Sequence, residues 1–140
     1  MKRKTVLVIE DNEMNMKLVK ALLQRGQFNI LEAIDAESGI RLAQEQGPDL
    51  ILMDVHLPGM DGLSATRIIK EDPALKHIPV IASTSYAMQG DAKKAMQAGC
   101  DGYITKPIDT RAFLDTIRKF LQGSREKNQV FVDDTYPRPI

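Results

Sequence analysis

The chain has 140 residues, 43% of them hydrophobic and 27% charged, which suits one domain with its own apolar core, with or without a short appendage. Lysine plus arginine and aspartate plus glutamate each number 19, so the formal net charge is zero, and bulk charge cannot grip nucleic acid or anionic lipid. A single cysteine, Cys100, excludes an intramolecular disulfide and a multi-cysteine metal cage, and no apolar run approaches the ~20 residues that cross a bilayer.

The basic start Met1-Lys2-Arg3-Lys4 is followed only by Thr5–Ile9 before Glu10, too short for a signal-peptide core, so the expected location is the cytoplasm. Thr5-Val-Leu-Val-Ile9 is β-branched, continuous and followed by acid, which predicts a strand buried on both faces. From Met14 to Gln24 the residues Leu18, Val19, Leu22 and Leu23 fall at helical spacing, and Gly26 ends the run. Phe28–Ala33 reads as a second, weaker strand. Asp35 caps a helix to about Gln46 with Ala36, Gly39, Ile40 and Ala43 on one face, and Gly47-Pro48 stops it.

Leu50–Met53 is the third predicted strand, and Leu57-Pro-Gly-Met-Asp-Gly62 is a turn-rich loop. A helix over about Leu63–Glu71 is expected to bury Ala65, Ile68 and Ile69. Pro79–Ala82, continuing toward Thr84, is the fourth strand. Gln89–Ala98 is helical but poor in large apolar residues, with Ala92, Ala95 and Met96 as its best face. Gly102–Thr105 is a short fifth strand, and Asp109 caps a last helix through about Gln122 with Phe113, Leu114, Ile117 and Leu121 inward.

Five βα units with strands that do not alternate define an α/β fold, a parallel sheet with helices on both faces, contained in residues 1–122. No repeat of sequence accompanies the units, which excludes a solenoid. Residues 123–140 form a C-terminal tail in which Gly123–Gln129 is polar, Val130-Phe-Val132 briefly apolar, and two prolines follow. Their composition is that of a mobile tail, although Val130–Val132 could dock on the domain or on a partner, and the segment could begin a linker in a longer protein.

In an open parallel sheet the site lies beyond the carboxyl ends of the strands. The first strand ends at Glu10-Asp11, the third at Asp54, the fourth at Thr84, and the fifth runs into Lys106-Pro107. Each has a plain structural explanation alone: a helix cap, a turn residue, a surface lysine. Together they deliver three carboxylates, a hydroxyl and an amine to one edge. Clustered carboxylates need a cation, and all-oxygen ligation suits Mg²⁺ better than zinc. A carboxylate beside such a metal can act as a nucleophile toward a phosphoryl group, with lysine and threonine as donors to its oxygens.

These residues sit in Val8-Ile-Glu-Asp-Asn12, Leu52-Met-Asp-Val-His-Leu-Pro-Gly-Met-Asp-Gly62, Ser83-Thr84-Ser85 and Tyr103-Ile-Thr-Lys-Pro107. Over residues about 4–122 the chain resembles the receiver domains of two-component response regulators, the CheY-like family. Glu10–Lys17 and Tyr86–Asp91 look most like stand-alone regulators of the DivK type and receivers attached to hybrid kinases. The resemblance implies a flavodoxin-like (βα)5 doubly wound sandwich with a five-stranded sheet in the order 2-1-3-4-5. It also implies that Asp54 accepts phosphate from a histidine kinase or histidine phosphotransfer protein. Glu10, Asp11, Asp54 and the backbone carbonyl of His56 would hold Mg²⁺; Lys106 would contact the acyl phosphate; Thr84 would be the switch hydroxyl and Tyr103 the aromatic that follows it.

Lys106-Pro107 resembles the family's cis peptide. Ser83 and Ser85 depart from the family pattern, so Ser85 could compete with Thr84, and His56 and Tyr86 occupy positions that tune phosphoryl lifetime in the family. The output partner is an unidentified protein, with no direct nucleic-acid or membrane partner. Cys100 reads as a packed thiol, and Met88 and Met96 as filler or a partner surface. An aspartyl-phosphate phosphatase would want an acid where His56 stands. A flavin protein would want a hydroxyl- and glycine-rich loop where Glu10-Asp-Asn-Glu13 stands. The remaining alternative is the receiver portion of a longer hybrid kinase or regulator within a phosphorelay.

Overall fold

The computed structural model describes residues 3–84, 90–122 and 130–131. Six strands, β1 (Thr5–Ile9), β2 (Asn29–Ala33), β3 (Leu50–Asp54), β4 (Val80–Thr84), β5 (Gly102–Thr105) and β6 (Val130–Phe131), form one sheet in the order β2-β1-β3-β4-β5-β6. Every pairing is parallel. Five helices link them: α1 (Glu13–Arg25), α2 (Ala36–Gln46), α3 (Gly62–Glu71), α4 (Asp91–Ala98) and α5 (Phe113–Leu121). The chain is thus the doubly wound α/β sandwich expected, with a two-residue strand beside β5 at Gly102 and Tyr103. The rest of the C-terminal segment, together with Ser85, Tyr86, Met88 and the expected start of the fourth helix at Gln89, lies outside the described residues.

Strand alternation divides the core into two layers. Leu7, Ile9, Ile51, Met53, Val80 and Ala82 pack under α2, α3 and α4, against Ala36, Ala65, Ile69 and Ala95. Their neighbours Val6, Val8, Leu50, Leu52 and Ile81 pack under α1 and α5, against Val19, Leu23, Phe113 and Ile117. Both faces of β1, β3 and β4 are therefore dry, which is why these segments are unbroken apolar runs.

Three of the five helix starts, those of α1, α2 and α3, are fixed by side-chain caps. Asn12, Asp35 and Asp61 accept from the backbone N–H of Asn15, Ser38 and Ser64 at 2.9, 2.8 and 2.8 Å. Four apolar helix positions and one helix start differ from the sequence expectation. Ile68 is 42% and Leu18 38% exposed, because an adjacent pair on a helix diverges by about 100° and Ile69 and Val19 take the inward direction. The last helix begins at Phe113, not at Asp109, whose carboxylate and carbonyl instead accept the N–H groups of Arg111, Ala112 and Phe113 in a preceding turn. Its buried stripe is Phe113, Thr116, Ile117 and Phe120, with Leu114 and Leu121 only half-buried at its margins.

Candidate functional site

Pairing between strands continues past their ends and sets the position of the residues beyond. Glu10 N–H donates to Ala33 O at 2.9 Å, Val55 N–H to Ser83 O at 2.8 Å, and Lys106 N–H to Thr84 O at 2.7 Å. The sheet edge therefore holds its acid and base residues on ordered backbone rather than on free loops. Glu10, Asp11 and Asp54 each place a carboxylate oxygen within 4.8 Å of the other two. Glu10 and Asp54 are each 4% exposed, while Asp11 is exposed.

Lys106, directly after β5, places its Nζ 2.8 Å from Glu10 Oε1 and 3.5 Å from Asp54 Oδ1. The Lys106-Pro107 peptide preceding α5 is cis, as the sequence resemblance implies. Backbone amides add to the acids: Asn12 N–H donates to Glu10 Oε2 and His56 N–H to Asp54 Oδ1, both at 3.1 Å. One ammonium does not balance three carboxylates. Burial pushes the Asp54 carboxyl up to about 6 from 3.8; Lys106 opposes this and Glu10 reinforces it.

Thr84 is 1% exposed, and its Oγ1 lies 3.1 Å from Nε2 of His56. Tyr103, also 1% exposed, joins Thr84, His56, Leu63 and Lys94 around a cavity of about 270 Å³ beside the acids. The structure thus gathers the carboxylates of Glu10, Asp11 and Asp54 within 4.8 Å of one another, sets Lys106 against Glu10 and Asp54, and places Thr84 and Tyr103 together around the adjoining cavity. Sequence reasoning read His56 for its backbone carbonyl and for a position that tunes phosphoryl lifetime, but did not foresee its ring against the Thr84 hydroxyl. It also missed Gly62, whose N–H donates to Val55 O at 2.9 Å and where a Cβ would collide with the carbonyl oxygen of Asp54. The one linear signal for His56 was its place two residues past Asp54; nothing local marks Gly62.

A sheet edge with clustered carboxylates, one lysine and a buried hydroxyl is compatible with phosphoryl handling on a parallel α/β scaffold. Residues 6–118 match the model of the response regulator receiver domain. The chain is 44% identical over 118 residues to the polar-differentiation response regulator DivK of Brucella anthropi, covering 84% of this chain and 96% of that protein. The receiver domain of a sensor histidine kinase from Pseudomonas aeruginosa, solved with magnesium coordinated in its active-site cleft, is 32% identical with a TM-score of 0.81, covering 87% of this chain and all of that one. A CheY-like receiver protein from Methanospirillum hungatei shares the fold at 24% identity and a TM-score of 0.81, over 90% of this chain and 99% of that one. The chain belongs to the response regulator receiver domains of two-component signalling.

The acid cluster fits the divalent metal that such a domain binds. Its donors are all oxygen, and three carboxylates there share the single ammonium of Lys106. Cys100, by contrast, is fully buried against Thr66; burial pushes its thiol up to about 12, the state of a packed, inert group. Among the described residues no helix is long and apolar enough to cross a membrane.

Proposed function

We propose that the chain is a single-domain response regulator whose Asp54 accepts a phosphoryl group from a phosphohistidine on a histidine kinase or histidine phosphotransfer protein. The observation that carries this reading is the union of three carboxylates and Lys106 at one edge, with the ammonium placed between Glu10 and Asp54. An Asp54 oxygen attacks phosphorus, the new P–O bond forms, and the partner imidazole leaves with the electrons of the P–N bond. His56 N–H holds the carboxylate in place, and Lys106 exchanges its carboxylate contacts for an oxygen of the incoming phosphoryl group. Bound Mg²⁺, held by Glu10, Asp11, Asp54 and the His56 carbonyl, would supply charge neutralisation for the transferring oxygens. Thr84 donates to the phosphoryl group and Tyr103 responds to its movement, which alters contacts with an output protein. Catalysis is confined to the chain's own phosphorylation and dephosphorylation.

Docking of the phosphohistidine partner has support in α1, which starts immediately after the acid pair. Met14 and Leu18, one turn apart, are 73% and 38% exposed, an apolar strip beside the pocket. We place the receiver within residues 1–122, with 123–140 as an extension, and its work in the cytoplasm. A second reading, the receiver portion of a longer hybrid kinase acting as a phosphorelay intermediate, is favoured by the likeness to the Pseudomonas kinase receiver.

The test is incubation with acetyl phosphate or beryllofluoride in Mg²⁺, comparing the wild type with Asp54→Asn. The wild type is expected to gain a phosphoryl mass or to shift its amide spectrum around β4 and α4, and Asp54→Asn to do neither. Equal labelling of the two proteins would remove Asp54 from the reaction.

A further inference from the structure

Asp54 and Thr84 approach the site from opposite faces of the sheet. Thr84 continues the series Val80 and Ala82, whose side chains lie under α2, α3 and α4. Asp54 continues Leu50 and Leu52, whose side chains lie under α1 and α5. His56 connects the two: its backbone N–H donates to Asp54 Oδ1 while its ring Nε2 stands 3.1 Å from Thr84 Oγ1. Thr84, His56 and Tyr103 line the 270 Å³ cavity, and the three carboxylates and Lys106 are not part of its wall. The imidazole therefore engages the hydroxyl at the wall of this cavity, which Asp61 and Lys94 also line.

We propose that His56 is a positioning residue that competes for the Thr84 hydroxyl, its imidazole holding Oγ1 toward the Tyr103 cavity until a phosphoryl group on Asp54 draws it off. This rests on the reading of Asp54 as phosphoacceptor. A threonine hydroxyl has one proton, so it donates either to the ring or to a phosphoryl oxygen. The competition therefore requires that Nε2 accepts and Nδ1 carries the ring proton. His56 is exposed, so the bond it offers is a modest one. A modest bond suits a switch, because a restraint worth a few-fold in equilibrium delays the change without preventing it. The hydroxyl at the end of β4 is thereby tied to the phosphoacceptor loop through one side chain that takes no part in the chemistry.

The chain has two histidines, His56 and His77, so their ring nitrogens can be assigned by long-range proton–nitrogen spectra. With the ring neutral and Mg²⁺ present, His56 is expected as the Nδ1–H tautomer, and to lose that preference on titration with beryllofluoride and in Thr84→Ala. His56→Ala is expected to bind beryllofluoride about two- to tenfold more tightly than the wild type, the worth of one neutral hydrogen bond. His56→Gln, which returns an amide to the position of Nε2, should fall back toward the wild type. In a Thr84→Ala background His56→Ala should add nothing.

An Nε2–H tautomer in the resting chain, an unchanged or weaker affinity in His56→Ala, or a gain that survives in Thr84→Ala each overturns the proposal. Failure of the underlying reading looks different: wild type and Asp54→Asn then respond alike to beryllofluoride, and the proposal falls with it.

Discussion

Asp54 is buried beside a second carboxylate, and its proton affinity follows from that placement. Its carboxyl is pushed up to about 6 by burial, against Lys106 and with Glu10, while the unfolded chain holds it near 3.8. Below pH 4 the acid is protonated in both states and costs nothing. As pH rises from about 4 through about 6 the unfolded chain releases the proton first, so folded stability falls, and above pH 6 the loss is complete. Removing the charge should reverse this. In the absence of metal, Asp54→Asn is expected to be more stable than the wild type at pH 7, on the order of 2 kcal/mol, with the gap closing toward pH 4. Urea melts across that range in chelator measure it; a gap independent of pH would mean that the carboxyl is not raised.

At the scale of elements, the loop between β3 and α3 is held by a close approach. Gly62 begins α3 directly against the carbonyl of Asp54, and a side chain there meets backbone, which cannot yield as a flexible neighbour can. Gly62→Ala is expected to destabilise the fold by about 1–3 kcal/mol and to shift the amide resonances of Asp54 and His56. Wild-type stability with an unmoved Asp54 would show that the approach is not tight. This contact also marks where sequence reasoning stops. The strands and their terminal acids were legible because β1, β3 and β4 are dry on both faces and therefore continuous in apolar residues, which makes each chemical residue stand out at the end. The helix start at Asp35 was legible from a short polar side chain that caps locally, whereas α1 is capped by Asn12 and not by Asp11, the capping alternative the sequence offered.

What could not be read is set by partners distant in the chain. Gly62 is a glycine among several in a turn-rich loop until Asp54 is placed beside it. Ile68 and Ile69 are equivalent in composition, and only the packing of α3 on the sheet turns one inward. The turn at Asp109 pushed the start of α5 on to Phe113, where the stripe with Ile117 and Phe120 packs, and Phe120 sits where Gly102 leaves room for its ring. The His56 to Thr84 bond joins residues 28 positions apart and has no signature in either segment.

For the whole molecule, the distribution of charge couples folding to metal. A neutral chain carries three carboxylates at one edge, donated by β1 and β3, with Lys106 from beyond β5 as their counter-ion. The ligands meet only when the sheet is formed, so Mg²⁺ binds the folded chain and stabilises it by mass action. At about 100 times its dissociation constant the gain is about 2.7 kcal/mol, a rise in melting temperature of about 5–10 °C. Lys106 opposes this gain, because it occupies Glu10 and Asp54 before the metal arrives. In Lys106→Met two buried carboxylates lose their partner, so the metal-free protein should melt lower, by about 3 kcal/mol in stability. The same change leaves more uncompensated negative charge for a divalent ion, so the increment produced by Mg²⁺ should exceed that of the wild type. Calorimetric melts of both proteins with and without Mg²⁺ test the sign. An increment equal to or below the wild-type value would show that Lys106 and the metal do not share the same carboxylates.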